Sequence, residues 1–271
     1  MVASTAFTLL VGAYSSVITG IRFDPASTNL SVLGTSPSGN NPSWIATHPL
    51  NNSIIVATNE GNPQATTGAD PAYIVALTKP RQVVVMDYSG GSGAFIPLRE
   101  DLLTLDESKA QRIKFNATVS HPHQALEYGD EVLIPDLGAD KIWRLKQSTP
   151  VQPGVPNWTV QGFVEQVQGA GRGTLLSPGN LAQVPDPRGD TIAIFSFDKS
   201  GNLKLVKQVF TGLNQIRAMS QGGEDTQYIA AGGKEGGGLV VYEKINNGQD
   251  LKERARLPAG VVAQPASFAW L

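Results

Sequence analysis

SHPHQALEYGDEVLIPDLGADKIWRL, residues 120–145, decides how this chain folds. A proline-led strand, PHQALEY (122–128), runs into a Gly-Asp turn at 129–130. An apolar strand, EVLIPDL (131–137), follows, and Gly-Ala-Asp turns the chain into KIWRLKQ (141–147). A more polar segment, NWTVQGFVEQ (157–166), supplies a fourth strand. Each run is too short for a helix and is bounded by Gly, Pro, Asn or Asp, which is the punctuation of a β-meander.

The same order recurs along the chain. First strands of a unit are PSWIATHP (42–49), PAYIVAL (71–77) and QIRAMSQ (215–221), and third strands end in an aromatic residue, as in TIAIFSF and GLVVYEK. Four strands in a unit of roughly 45 residues is the signature of a β-propeller blade. The alternative is a β-sandwich whose strands happen to be evenly spaced. Five units show at least three strands, and a stunted pair occupies 42–59, so a ring of at most six blades, or an open and strained one, is expected. The best helical candidate, LLTLDESKAQRI (102–113), is polar and reads as a loop with one turn of helix.

The termini complete one blade between them. QPASFAWL (264–271) has the form of a first strand, and TLLVGAYSS, ITGIRFDP and NLSVLGTS near the N-terminus supply the other three. Pairing the two ends would remove an exposed sheet edge, so the last residues are expected to act as a latch on a single domain spanning 1–271.

Composition narrows the functional classes. The 271 residues are 41% hydrophobic and only 16% charged, with 29 Gly and 18 Pro, which suits short strands and tight loops. A net charge of −2 gives no general pull toward nucleic acid or an anionic membrane. No apolar run is long enough to span a membrane as a helix, so a soluble protein is expected, with a cytoplasmic location favoured. The sequons at Asn29, Asn51, Asn116 and Asn157 leave secretion open. Without cysteine there is no disulfide, thiolate metal site or thiol nucleophile.

Only His48, His121 and His123 can supply imidazole chemistry. On a strand, His121 and His123 share one face, where they could transfer protons or hold an anion; otherwise one caps a neighbouring loop. They lack a third partner for a metal. Arg217, on the first strand of another unit, suits a carboxylate or phosphate, or else an inter-blade salt bridge. Glu60 and Asp136 end second strands and are read as bonding loop amides. Asp140 and Asp190 precede third strands as turn and blade-fastening residues. His48, at a strand corner, is structural, and Trp44, Trp143 and Trp270 belong to the core. The glycine clusters at 90–93 and 232–238 lack a following Gly-Lys-Ser/Thr and are turns, and no G-x-S-x-G is present.

These segments carry a family resemblance. VGAYSS, ITGIRFDP, NPSWIATHP, ATNE, SHPHQALEYGDEVLIPDLGADKIWRL, DPRGDTIAIFSFDKSGNLKLVKQVFTGLNQIRAM and SFAWL together resemble the seven-bladed lactonase propellers. That family includes 6-phosphogluconolactonase-like enzymes and the fungal 3-carboxy-cis,cis-muconate lactonising enzymes, and the chain resembles fungal members. Relative to the family it is shortened near 60–70 and 168–186, by about one blade. The resemblance implies a central-channel site with one histidine, two arginines and a glutamate, and no metal or organic cofactor. The histidine falls on His121 or His123, and Arg172 stands as a remnant of one arginine. The glutamate and the second arginine have no counterpart. Two functions follow: a lactonase or cycloisomerase acting on an acidic lactone or dicarboxylate-type substrate, or a catalytically degenerate or truncated propeller serving as a scaffold.

Overall fold

A computed structural model describes residues 5–61, 68–148, 155–165, 187–197 and 203–271. The described chain is all-β, with two single turns of 3-10 helix at Glu107–Lys109 and Glu224–Thr226. The strands form blade-type antiparallel sheets of the propeller class. They group into two compact units, Met1–Pro37 with Gly173–Leu271, and Ser38–Arg172.

In the first unit, β1 (Phe7–Ala13), β2 (Val17–Asp24) and β3 (Asn29–Pro37) form a sheet completed by the C-terminal β20 (Pro265–Trp270), in the order β20-β1-β2-β3. In the second unit, β4 (Ile45–His48) and β5 (Asn51–Ala57) make a two-stranded sheet. Two four-stranded sheets follow: β6 (Pro71–Ala76), β7 (Gln82–Asp87), β8 (Ser92–Pro97) and β9 (Gln111–Lys114), then β10 (Leu126–Tyr128), β11 (Glu131–Asp136), β12 (Lys141–Gln147) and β13 (Trp158–Glu165). The first unit continues with the pair β14 (Thr191–Phe197) and β15 (Leu203–Phe210). Its last sheet is β16 (Asn214–Gly222), β17 (Tyr228–Gly236), β18 (Leu239–Ile245) and β19 (Asp250–Leu257).

Four complete blades and two strand pairs are therefore present among the described residues. The β14–β15 pair has the third-strand and fourth-strand sequences expected of a larger unit; residues 166–186 before it lie outside the described residues.

The reason β7 reads as an unbroken apolar run, QVVVMD, is that both its faces are covered. Successive side chains of a strand point to opposite faces. Val84 and Met86 enter one core with Phe95, Trp143 and Leu145, whereas Val83 and Val85 enter a second with Ile74, Ala76 and Ile96. Each fully buried valine stabilises the fold by about 1.5 kcal/mol or more. Trp158 reinforces the first core: its Nε1 donates to Gln82 Oε1 at 2.8 Å, and its ring stacks on Phe95 at 5.0 Å.

The corners are fixed by short-range polar contacts. His48 is buried, its Nδ1 accepts the Leu50 N–H at 3.1 Å, and burial holds its imidazole below the usual histidine range. Asp190 fastens one sheet to the next, its Oδ2 accepting Ile216 N–H at 3.0 Å and its backbone bonding to Thr211 and Leu213. Tyr242 donates to Thr211 O at 3.3 Å, and burial pushes its phenol up to about 12. Glu60 accepts from Ser43 Oγ, a bond within the β4–β5 corner.

The expected latch is present. β20 pairs antiparallel with β1, from Leu9 opposite Trp270 to Ala13 opposite Pro265. The Trp270 ring lies against Gly222, where an added Cβ would sit 2.1 Å away, and its Nε1 donates to Ser220 O at 3.2 Å. Phe7, Phe23 and Tyr228 complete the aromatic cluster around it. Deleting residues 265–271 therefore removes a strand and uncovers this cluster. We expect a fall of at least about 10 °C in the thermal midpoint, or loss of the cooperative transition, measured by circular dichroism. A midpoint unchanged from the full chain would show that the terminal strand is dispensable.

Candidate active site

The histidine pair sits where the second unit's β7 ends and the β10–β11 sheet begins. The sequence suggested a strand over 122–128, but regular pairing starts only at Leu126. Pro122 has no N–H to offer a ladder, and it makes a single isolated bridge to Asp136. Residues 121–123 are held instead by flanking bonds, His123 N–H to Pro135 O at 3.1 Å and Leu137 N–H to His121 O at 3.0 Å.

Asp136 anchors the segment. Its carboxylate is fully buried at 0% exposure and accepts five hydrogen bonds. Oδ1 takes the N–H groups of His121 (2.7 Å), Gly138 (3.1 Å) and Ala139 (3.0 Å). Oδ2 takes Ser120 Oγ (2.6 Å) and Trp143 Nε1 (2.9 Å). A buried charge is tolerated only when its lone pairs are satisfied in this way. Gly138 is required beside it, because an added Cβ would sit 2.8 Å from His121 Cδ2.

Both imidazoles meet Tyr88, the residue that follows β7. Its ring stacks on His121 at 4.3 Å and 9°, and meets His123 edge-on at 5.6 Å and 84°. His121 Nδ1 lies 2.9 Å from Tyr88 O. A carbonyl only accepts, so in the neutral ring Nδ1 carries the hydrogen and Nε2 keeps the lone pair. A cavity of about 580 Å³ opens beside this segment, lined by Asn116, Thr118, Val119, Gly138 and Lys141 among others; neither histidine lines it.

Arg217 belongs to the first unit. It is exposed on β16, and no carboxylate pairs with it among the described residues; its Nη2 donates to Tyr14 OH at 3.2 Å. The Lys234 ammonium lies 4.8 Å from the centre of the same tyrosine ring, and is 3.3 Å from Glu235. The inter-blade salt bridge weighed for Arg217 is thus replaced by a phenol contact. Arg172 lies outside the described residues. Tyr14 and Tyr88 were not singled out from the sequence. Each directly follows the second strand of its own sheet, and that repeated position is the signal that could have found them. Among the described residues, no three His, Asp or Glu side chains gather as a metal site would need.

The anchor can be tested directly. Asp136→Ala leaves five donors without their acceptor and should destabilise the fold by about 3 kcal/mol or more in urea unfolding. Ser120→Ala, which removes one donor, should cost about 1 kcal/mol. Equal small effects would show that the carboxylate is not the anchor.

Residues 56–161, which include Tyr88, both site histidines and Asp136, match the family described as lactonase, seven-bladed β-propeller. No curated protein matches the chain. Among solved structures, a candidate 6-phosphogluconolactonase from Bacteroides fragilis is 18% identical with a TM-score of 0.78, covering 100% of this chain and 99% of its own. The periplasmic gluconolactonase of Pseudomonas aeruginosa is 19% identical with a TM-score of 0.75, covering 98% and 99%. At such identities these structures establish a shared fold. Neither the fungal placement nor the carboxymuconate branch finds support among them. Residues 56–161 thus match the seven-bladed β-propeller lactonase family, within a chain that shares the fold of these solved structures.

Proposed function

We propose that the chain is a lactone hydrolase acting on an acidic sugar lactone, with His121 as the general base. The observation that carries this reading is the bond from His121 Nδ1 to Tyr88 O, which leaves Nε2 as the basic nitrogen. The family match over the same residues supports it. In the reaction, Nε2 takes a proton from water as the oxygen adds to the lactone carbonyl. The tetrahedral adduct collapses with cleavage of the ring C–O bond, and the imidazolium returns its proton to the departing alkoxide. The ring opens to a hydroxy acid and the histidine is regenerated.

Stacking on Tyr88 and the backbone bond to Asp136 hold the imidazole in one orientation, which a general base needs. His123 is proposed as a secondary participant at the same tyrosine. In the first unit, Arg217, with Lys234 beside Tyr14, is proposed to bind a carboxylate or phosphate, since a guanidinium binds such groups through paired N–H donors. Arg172 keeps its proposed part only by resemblance.

The scaffold reading also has an observation in its favour: two of the six sheets contain two strands among the described residues. Assays of glucono-δ-lactone and 6-phosphogluconolactone hydrolysis, with carboxymuconate cyclisation in parallel, separate the readings. Catalysed lactone opening should fall about 100-fold or more in His121→Gln and less in His123→Gln. Arg217→Gln should weaken binding of the phosphorylated lactone, measured by titration calorimetry. Turnover no faster than the uncatalysed reaction would favour the scaffold, and full activity in His121→Gln would exclude the base assignment.

A further inference from the structure

At the opposite end of β7 from Tyr88, the second unit holds a cavity of about 590 Å³ that the lactonase reading does not use. Three cationic side chains line it: Arg81, Arg99 and Lys109. Its floor is formed by the buried residues Gln82, Pro97 and Leu98. The size is that of a small-molecule site.

The backbone presets this arrangement. Leu98 N–H bonds to Arg81 O at 2.9 Å, Arg99 N–H to Thr104 O at 2.9 Å and Asp106 N–H to Pro97 O at 2.8 Å. The turns carrying the cations are therefore tied to one another, and their positions do not depend on a ligand. Gln82 Oε1 accepts the Trp158 indole N–H at 2.8 Å, which fixes the orientation of the glutamine amide.

The charges do not cancel. Two acids, Glu100 and Asp106, also line the cavity. Asp106 is engaged by Ser108 Oγ at 2.6 Å and by Lys109 Nζ at 3.1 Å, and these bonds hold its carboxyl below the usual range. Among the described residues no carboxylate lies within ion-pair distance of Arg81 or Arg99. The lining thus carries two guanidinium groups against Glu100 once Lys109 is set against Asp106. Guanidinium groups match the oxygens of a phosphate, and the surplus positive charge favours an anion there.

We infer that this cavity is a second ligand site, separate from the histidine site, that binds a phosphate or phosphate ester between Arg81 and Arg99. The site is independent of the lactonase reading, since none of its lining residues belongs to the histidine cluster.

Titration calorimetry of the full chain with inorganic pyrophosphate, at fixed ionic strength, tests it. Saturable binding is expected, weakened at least tenfold in Arg81→Ala/Arg99→Ala and tightened in Glu100→Gln. Circular dichroism should show both variants folded, because the replaced side chains are exposed. The Glu100→Gln arm reads a gain of affinity, so it stands even if the double variant is damaged. Absence of saturable binding would overturn the inference. So would binding that is unchanged in both variants, or that is lost in Arg217→Gln instead.

Discussion

Taking a carboxylate out of water costs several kcal/mol unless its lone pairs are filled, and Asp136 fills them from five donors on three segments. Ser120 and His121 precede β10, Gly138 and Ala139 form the turn after β11, and Trp143 lies in the core of β12. The carboxylate therefore couples the sheet core to the loop that carries the imidazole. His121 owes its place to this bond rather than to regular strand pairing, which Pro122 interrupts. A site supported by a buried polar centre is rigid, and a general base benefits from that rigidity.

The fold was legible because its signals are local and repeated. The apolar runs, the turn residues between them and the aromatic third strands all point to the same four-stranded unit. β7 illustrates the logic: QVVVMD alternates between two cores, so it reads as continuous rather than alternating. The latch was legible for the same reason, since QPASFAWL matches the first strands of the other units and finds β1 in the structure. What the pattern could not supply was strand length. The segment 122–128 keeps its place in the sheet, but only 126–128 pairs regularly.

The candidate site was only partly legible. His121 and His123 stand out because the chain has so few histidines, yet their common partner, Tyr88, is more than thirty residues away and looks like an ordinary strand end. Asp136 was correctly read as bonding loop amides, but its bonds to Ser120 and Trp143 depend on tertiary packing. Arg217 was identified by charge alone, and charge could not distinguish a carboxylate partner from the Tyr14 phenol it meets. Long-range pairing of this kind leaves no mark in local periodicity.

The proposed chemistry depends most on the state of the His121 ring. Two-bond proton–nitrogen NMR correlation on the histidine-labelled chain reports which nitrogen of neutral His121 carries hydrogen. Hydrogen on Nδ1, with Nε2 unprotonated, is the predicted result, and the preference should weaken in Asp136→Asn as the backbone anchor loosens. Hydrogen on Nε2 in the unaltered chain would contradict the bond to Tyr88 O and remove the base on which the proposed chemistry depends.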